Sequence, residues 1–230
     1  MTRDRSLTFA AYCRHPRRGM QPNSSRTSPT LDFTSDWFSG DEVWRSLLTR
    51  YQPRRFLEIG SYEGRAACFL IQERARQRPI ELHCIDTWLG GVEHEPSAMS
   101  AVEARFDHNI ALAVSGAVHR VDFHKHKSQS KIALWNLLAA GKADYFDFIY
   151  VDGSHQAPDA LSDAVMSFHL LRPGGLLIFD DYLWSMEDPG RQDFYNMPKP
   201  AIDAFVNIFQ RKLQVLGAPL YQLYVRKISS

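Results

Sequence analysis

Apolar positions along this chain follow two alternating patterns. Short runs of near-continuous apolar residues recur in RRFLEIG (54–60), IELHCIDTW (80–88), AVHRVDFHK (117–125), YFDFIYVDG (145–153) and GGLLIFDD (174–181), and each predicts a buried strand. Between them, apolar side chains return at helical spacing. Val43, Leu47 and Leu48 predict a helix over 39–51, and GRAACFLIQERARQR predicts one over 64–78, ended by Pro79. Met99, Val102, Phe106 and Ile110 share a face within 97–115. Further helices are expected over 130–141 and over 157–171, the latter with Leu161, Val165 and Phe168 in register. The tail departs from this rhythm: a helix over 199–211 precedes LQVLGAPLYQLYVRK (213–227), two strands joined by a Gly-Ala-Pro turn. Strands alternating with helices predict a doubly wound α/β fold. Its seven-stranded sheet should be mostly parallel, with helices on both faces, right-handed crossovers and an antiparallel last strand.

Composition changes this picture only at the N-terminus. The 230 residues suffice for one α/β domain, and 44% hydrophobic with 23% charged residues is ordinary for a globular protein. A net charge of +1 gives no reason to expect nucleic acid or an anionic membrane as partner. No apolar run approaches the roughly 18 residues of a membrane span. Residues 1–30 hold six arginines against the single acid Asp4, with no periodic apolar face. They read as a flexible basic arm, as an Arg-rich mitochondrial presequence interrupted by Pro16 and Pro22, or as sequence upstream of a start at Met20. One domain is expected over 31–230. Cys13, Cys68 and Cys84 have no metal-type spacing, and the last two lie in apolar segments, as expected for reduced core thiols of a cytoplasmic protein.

In open α/β sheets ligands bind beyond the carboxyl ends of the strands, so the residues after each strand are the ones to read for chemistry. The first strand is followed by Glu58, Gly60, Ser61, Tyr62, Glu63 and Gly64. The two glycines permit a tight turn and a close ligand approach. The G-x-G-x-x-G spacing of dinucleotide binders is absent, and Glu63 would stand where a pyrophosphate needs positive potential. An acid there suits an ammonium or sulfonium ligand, which disfavours a nicotinamide-dependent oxidoreductase. Asp86 ends the second strand, where a carboxylate accepts from ribose hydroxyls or caps the next element; with the glycine turn beside it, a nucleoside site is favoured.

The fourth strand ends in Asp152, Gly153, Ser154 and His155, and the fifth in Asp180 and Asp181. Adjacent parallel strands lie about 4.8 Å apart, so these acids converge at one sheet edge. Two like charges about 5 Å apart repel by roughly 3 kcal/mol at an effective dielectric near 20. A hard divalent cation, Mg2+ by its oxygen preference, makes such a trio tolerable; otherwise the second aspartate faces water or caps the next segment. His155, three residues beyond Asp152, is a candidate general base, or else a capping or cofactor-facing residue. His94 lies in a loop that could close over the site, while His124 and His126 read as solvated. The stretch 182–200 carries Tyr182, Trp184, Phe194 and Tyr195 and is long enough for a lid, or for a contact in a homo-oligomer; Trp88 and Trp184 could wall an acceptor pocket.

Taken together, FLEIGSYEGRAACFL, LHCIDTW, FHKHKSQSKIALW and the segment from FIYVDGSH to LLIFDDY resemble class I S-adenosylmethionine-dependent methyltransferases over about residues 52–183. More narrowly they are similar to the branch containing catechol O-methyltransferase and the macrolide-sugar O-methyltransferases. The resemblance implies that Glu58, Gly60 and Tyr62, with Ser61 and Gly64 in the same turn, border the methionine part of S-adenosylmethionine. It implies that Asp86 holds the ribose and Ser128 touches adenine. It further implies that Asp152, Asp180 and Asp181 bind magnesium and that His155 stands where the catechol enzyme has its catalytic lysine. Ser154 replaces the aspartate of the macrolide-sugar enzymes, which leaves the base and the sugar assignment open. The expected activity is O-methylation of a small-molecule hydroxyl. A metal-independent methyltransferase and a non-catalytic nucleoside-binding module are the alternatives.

Overall fold

The computed structural model describes residues 30–230. The basic arm up to residue 29, with Cys13 and Met20, lies outside the described residues. Strands β1 (Arg55–Ile59), β2 (Ile80–Asp86), β3 (Val121–Lys127), β4 (Phe146–Val151) and β5 (Leu171–Phe179) alternate with helices α1 (Asp41–Tyr51), α2 (Arg65–Arg74), α3 (Val102–Ser115), α4 (Ser130–Ala139) and α5 (Ala157–Leu170). Helix α6 (Lys199–Phe209) leads into β6 (Leu213–Leu216) and β7 (Leu223–Lys227). They form one seven-stranded sheet in the order β3-β2-β1-β4-β5-β7-β6. The first five strands run parallel, and β7 pairs antiparallel with both β5 and β6. Among the described residues no helix is long and apolar enough to cross a membrane.

Each central strand sends alternate side chains to opposite layers, which is why its sequence is apolar throughout. Phe56, Leu82, Phe148, Tyr150 and Ile178 join Trp44, Leu70 and Phe106 in one core beneath α1, α2 and α3. Leu57, Ile85, Ile149, Leu177 and Phe179 join Leu134, Phe168 and Phe205 in the other, beneath α4, α5 and α6. Cys68 and Cys84 are free and buried in the first core.

Three elements begin elsewhere than the periodicity predicts. The apolar face of 97–115 is shared by a 3-10 helix, Pro96–Ala101, and by α3, with the break at Ala101 (φ −121°, ψ 2°). Strand β3 starts at Val121 because that residue registers with Ile80, while His119 N–H is drawn away to the carbonyl of Ala75. Strand β5 extends back through Pro173 and Gly174 to Leu171, which pairs with Phe146 across an irregularity in the ladder.

His124 and His126 are only partly the solvated pair the sequence suggests: His124 stays half-exposed, but both rings are engaged on the sheet. Both lie on the same face of β3, because they are two residues apart. His83 of β2 registers with His124 and stacks on it at 4.2 Å, and its Nδ1 hydrogen-bonds His126 Nε2 at 2.9 Å. Burial pushes the His83 imidazole down to about 4, against the Glu81 bond, so the ring is neutral near pH 7.

The antiparallel end is tied in by Lys227, a fully buried lysine on β7. Its Nζ donates to the carbonyls of Phe168 (2.9 Å) and Leu171 (2.8 Å) and to Asp144 Oδ1 (2.6 Å), where α5 ends and β5 begins. Lys227→Met should strand two buried carbonyls and lower the free energy of unfolding by about 2–4 kcal/mol. Urea denaturation checks this; an unchanged midpoint would mean that those carbonyls find other donors.

Candidate functional site

The order β2-β1-β4-β5 places the switch of winding direction between β1 and β4. Backbone hydrogen bonding continues past the strand ends there. Gly60 N–H donates to Ile85 O, Asp152 N–H to Ile59 O, Asp180 N–H to Val151 O, and Ser128 N–H to Asp86 O, all at 2.8–2.9 Å. Each loop therefore starts from a fixed point on its neighbour. Above these tips lies a cavity of about 880 Å³, lined by Glu58, Gly60, Ser61, Tyr62, Asp86, Ser128, Asp152, His155, Asp180 and Asp181 among others. Gly64, at φ +81°, sets the entry to α2 beneath it. Three non-glycine residues at these tips, Tyr62, Trp88 and Asp181, adopt left-handed backbone with φ between 45° and 54°. Strain of this kind is held only where surrounding contacts fix it.

Asp86 organises the glycine turn. Its Oδ2 accepts from the backbone N–H groups of Ser61 (2.8 Å) and Tyr62 (2.9 Å), and its Oδ1 from Trp88 N–H (2.7 Å). It thus takes the capping role weighed from sequence, and it also lines the cavity. Glu58 is buried and accepts from Ser61 Oγ (2.8 Å) and Cys84 Sγ (3.2 Å). Burial pushes its carboxyl up to about 7.

Glu63 lies among the residues lining the cavity, but its carboxylate is engaged within the chain. It is buried, accepts from Thr34 N–H and Thr34 Oγ1 at 2.7 Å, and pairs with Arg105 at 2.5 Å. Asn109 adds reciprocal bonds to the backbone of Asp32 at 2.7 Å. Together they fasten residues 32–34 beside the turn, bringing Trp37 against Tyr62 (4.9 Å between ring centroids) and His94 (5.9 Å) at the cavity mouth. No sequence motif marked this segment.

The carboxylates converge as the strand order requires. Tyr150 Oη donates to Asp180 Oδ2 and lies 3.1 Å from Asp152 Oδ2, while Asp181 N–H donates to Asp180 Oδ1 (2.9 Å). Burial, with the charges of Asp180 and Asp181 beside it, pushes Asp152 well above the carboxylate range. Burial and Asp181 raise Asp180 to about 6. Tyr150 sits two residues before Asp152 on the same face of β4, so strand parity was the one signal that could have revealed it.

Asp181 turns the other way. Its Oδ2 bonds His155 Nε2 at 2.8 Å, and His155 Nδ1 lies 3.5 Å from Glu93 Oε1. Burial works against protonation of His155, but the bonds and charges of Asp181 and Glu93 outweigh it and raise its pKa to about 10. His155 therefore rests as an imidazolium stacked on Trp184 (4.4 Å). Glu93, one residue from the histidine singled out in that loop, went unnoticed because nothing local distinguishes it. Trp88 is not an acceptor wall: it is buried against Phe106 and donates from Nε1 to Tyr62 O (2.9 Å). In the stretch 182–200, Trp184 lines the cavity, whereas Phe194 and Tyr195 are exposed.

One donor atom each from Asp152, His155 and Asp181 lie within 4.8 Å of one another. Asp181 Oδ1 is buried with no partner among the described residues. A hard cation with oxygen ligands fits this cluster: an orphaned carboxylate oxygen faces it, and the carboxyls of Asp152 and Asp180, raised by burial and by neighbouring negative charge, would ionise more readily around positive charge. Asp180 can join only by giving up Tyr150.

Behind the site, Asp163 on α5 is almost wholly buried, and among the described residues neither of its oxygens has a hydrogen-bond partner. Burial raises its pKa to about 7, which the nearby Ser130 hydroxyl only partly opposes. The folded state thus keeps this proton up to about pH 7, while the unfolded chain releases it near 3.8. Between those values the native state binds more protons, so stability falls as pH rises and levels off above about 7. Asp163→Asn should match wild type near pH 4 and exceed it by about 2–4 kcal/mol at pH 8. Urea melts across that range provide the check; a difference independent of pH would contradict it.

Comparison with known proteins agrees with this geometry. A family model described as a methyltransferase domain matches residues 57–182. Among solved structures, the O-methyltransferase TomG from Streptomyces achromogenes, involved in tomaymycin synthesis and solved with SAM, is 20% identical, with a TM-score of 0.57 covering 83% of this chain and 79% of that one. A putative caffeoyl-CoA O-methyltransferase from Staphylococcus aureus is 12% identical with a TM-score of 0.60, covering 86% of both chains. An O-methyltransferase from Bacillus cereus in complex with SAH is 17% identical with a TM-score of 0.51, covering 86% and 84%. These likenesses establish the fold. No curated protein sequence matched the chain. With the family model spanning more than half its length, the chain belongs to the methyltransferase-domain family.

Proposed function

We propose that this protein transfers a methyl group from S-adenosylmethionine to a hydroxyl oxygen of a small molecule, with a divalent cation, Mg2+ by its ligand preference, held among Asp152, Asp181 and Asp180. The observation that carries the reading is the meeting of the glycine turn, Asp86 and the aspartate cluster in one cavity above the β1/β4 switch. The O-methyltransferases of the same fold, one solved with SAM and one with SAH, support the choice of cofactor and nucleophile.

The roles follow from the contacts. Gly60, Ser61, Tyr62 and Gly64 shape the turn against which the cofactor would lie, with Glu58 below it. Asp86 Oδ1, engaged by one N–H only, has a lone pair left for a ribose hydroxyl. Ser128, whose N–H donates to the Asp86 carbonyl, lines the same cavity and would meet the adenine. When bound, the sulfonium supplies the methyl and the cation withdraws charge from the acceptor hydroxyl, so that a modest base suffices. His155 cannot be that base while Asp181 and Glu93 hold its proton. With Asp181 engaged elsewhere, Nε2 loses its closer anionic partner and becomes free to take the acceptor's proton. Trp184, stacked on the imidazole, limits the ring's rotation and orients Nε2.

Protein treated with EDTA and then desalted should lose methyl transfer from S-adenosylmethionine to a hydroxyl acceptor and regain it with Mg2+. Asp181→Asn should lower kcat/KM by about 100-fold or more while S-adenosylhomocysteine affinity, read by calorimetry, changes little. Full activity after chelation would mean a metal-independent transferase. Absence of S-adenosylhomocysteine binding to the wild type would remove the methyltransfer reading altogether.

A further inference from the structure

A second cluster of metal-ligating side chains lies outside the cavity lining, on the sheet face beneath α4. Strands β2 and β3 run parallel with Glu81 opposite Asp122, His83 opposite His124 and Ile85 opposite His126. Two carboxylates and two imidazoles thus form a square on one face, with a third imidazole one step beyond. One donor atom each from Glu81, His83 and His124 lie within 4.8 Å of one another. Donors bound tetrahedrally at 2.0–2.1 Å stand about 3.4 Å apart, so the donors are already near ligating separation, and closing the site would require the stacked His83 and His124 rings to turn their nitrogens toward one point.

The surroundings resemble the outer shell of a metal centre. Tyr145 Oη donates to Glu81 Oε2 at 2.6 Å and orients that carboxylate, while Oε1 bonds His83 Nε2 at 2.7 Å. His126 Nε2 meets His83 Nδ1 at 2.9 Å and fixes the ring through its second nitrogen. His83 is buried, whereas His124 is 42% exposed and leaves a path for entry. Asp122 Oδ1 stands 3.6 Å from His124 Nε2. Two cations stand at the cluster, Lys142 Nζ 3.1 Å from Glu81 Oε1 and the exposed Arg120 guanidinium 3.6 Å from Asp122 Oδ2; the flexible stem of Lys142 lets it withdraw from the carboxylate that would bind the ion.

We propose that Glu81, His83 and His124 form a binding site for a borderline divalent transition ion, Zn2+ foremost, with His126 and Tyr145 as positioning residues. Two imidazoles and one carboxylate are a zinc-type donor set, unlike the oxygen-rich cluster at the strand tips, so the two places select different ions. Because β3 is an edge strand, an ion there would cross-link it to β2 and brace the edge.

The test uses the full chain carrying Asp181→Asn, which silences the strand-tip cluster, after EDTA treatment and desalting. Calorimetric titration with Zn2+ should show one site, and Co2+ should give visible absorption bands of imidazole ligation. Adding His124→Ala, at a half-exposed position that folding tolerates, should weaken Zn2+ binding at least about tenfold and abolish those bands; His126→Ala should weaken it about tenfold. Zn2+ should also raise the melting temperature of the Asp181→Asn protein but not of the double variant. Absence of Zn2+ uptake by the Asp181→Asn protein, or uptake unchanged by His124→Ala, would overturn the proposal.

Discussion

Gly60 stands where almost no side chain could. A Cβ added there would lie 1.8 Å from the carbonyl oxygen of Asp152, and the residue's φ of +81° is itself unfavourable to other amino acids. This contact joins the tips of β1 and β4 at the point where the sheet reverses its winding. Because Asp152 N–H in turn donates to Ile59 O, the backbone position of the first acid is fixed from both sides. The ladder passes the same constraint on to Asp180 through Val151. The convergence of the carboxylates is thus a consequence of backbone pairing.

Such convergence creates an electrostatic load that the chain carries in two ways. Toward the α1–α3 layer, Tyr150 donates between Asp152 and Asp180, and burial keeps both carboxyls above their ordinary range. On the other side, Asp181 is matched by the His155 imidazolium, which Glu93 also holds. Both arrangements are substitutes for positive charge at the centre of the trio. A divalent cation would replace them at once, expelling protons and releasing the imidazole. The residues that carry this load are therefore the ones whose protonation would change if a cation bound.

The main lines of the fold were legible because this sheet is buried on both faces. Strands such as FDFIYV have no polar face to confuse the pattern, and their ends are marked by acids and glycines. The acids Asp86, Asp152, Asp180 and Asp181 were readable for the same reason, as charges abruptly ending apolar runs. What escaped notice were residues whose role depends on partners distant in sequence. The sequence marked the charge of Glu63 but not its partners, since Thr34 and Arg105 approach it from outside the motif. The histidines of β3 seemed solvated because an edge strand alternates weakly, and only its register with β2 brings them onto His83.

The central claim is that backbone geometry at the β1/β4 switch builds a cation site from strand-tip carboxylates. Its most direct test is anomalous scattering from crystals grown with Mn2+ and S-adenosylhomocysteine. The account predicts a peak within bonding distance of Asp152 and Asp181, with the nucleoside beside Asp86. An ordered nucleoside with no anomalous peak among those carboxylates would contradict it.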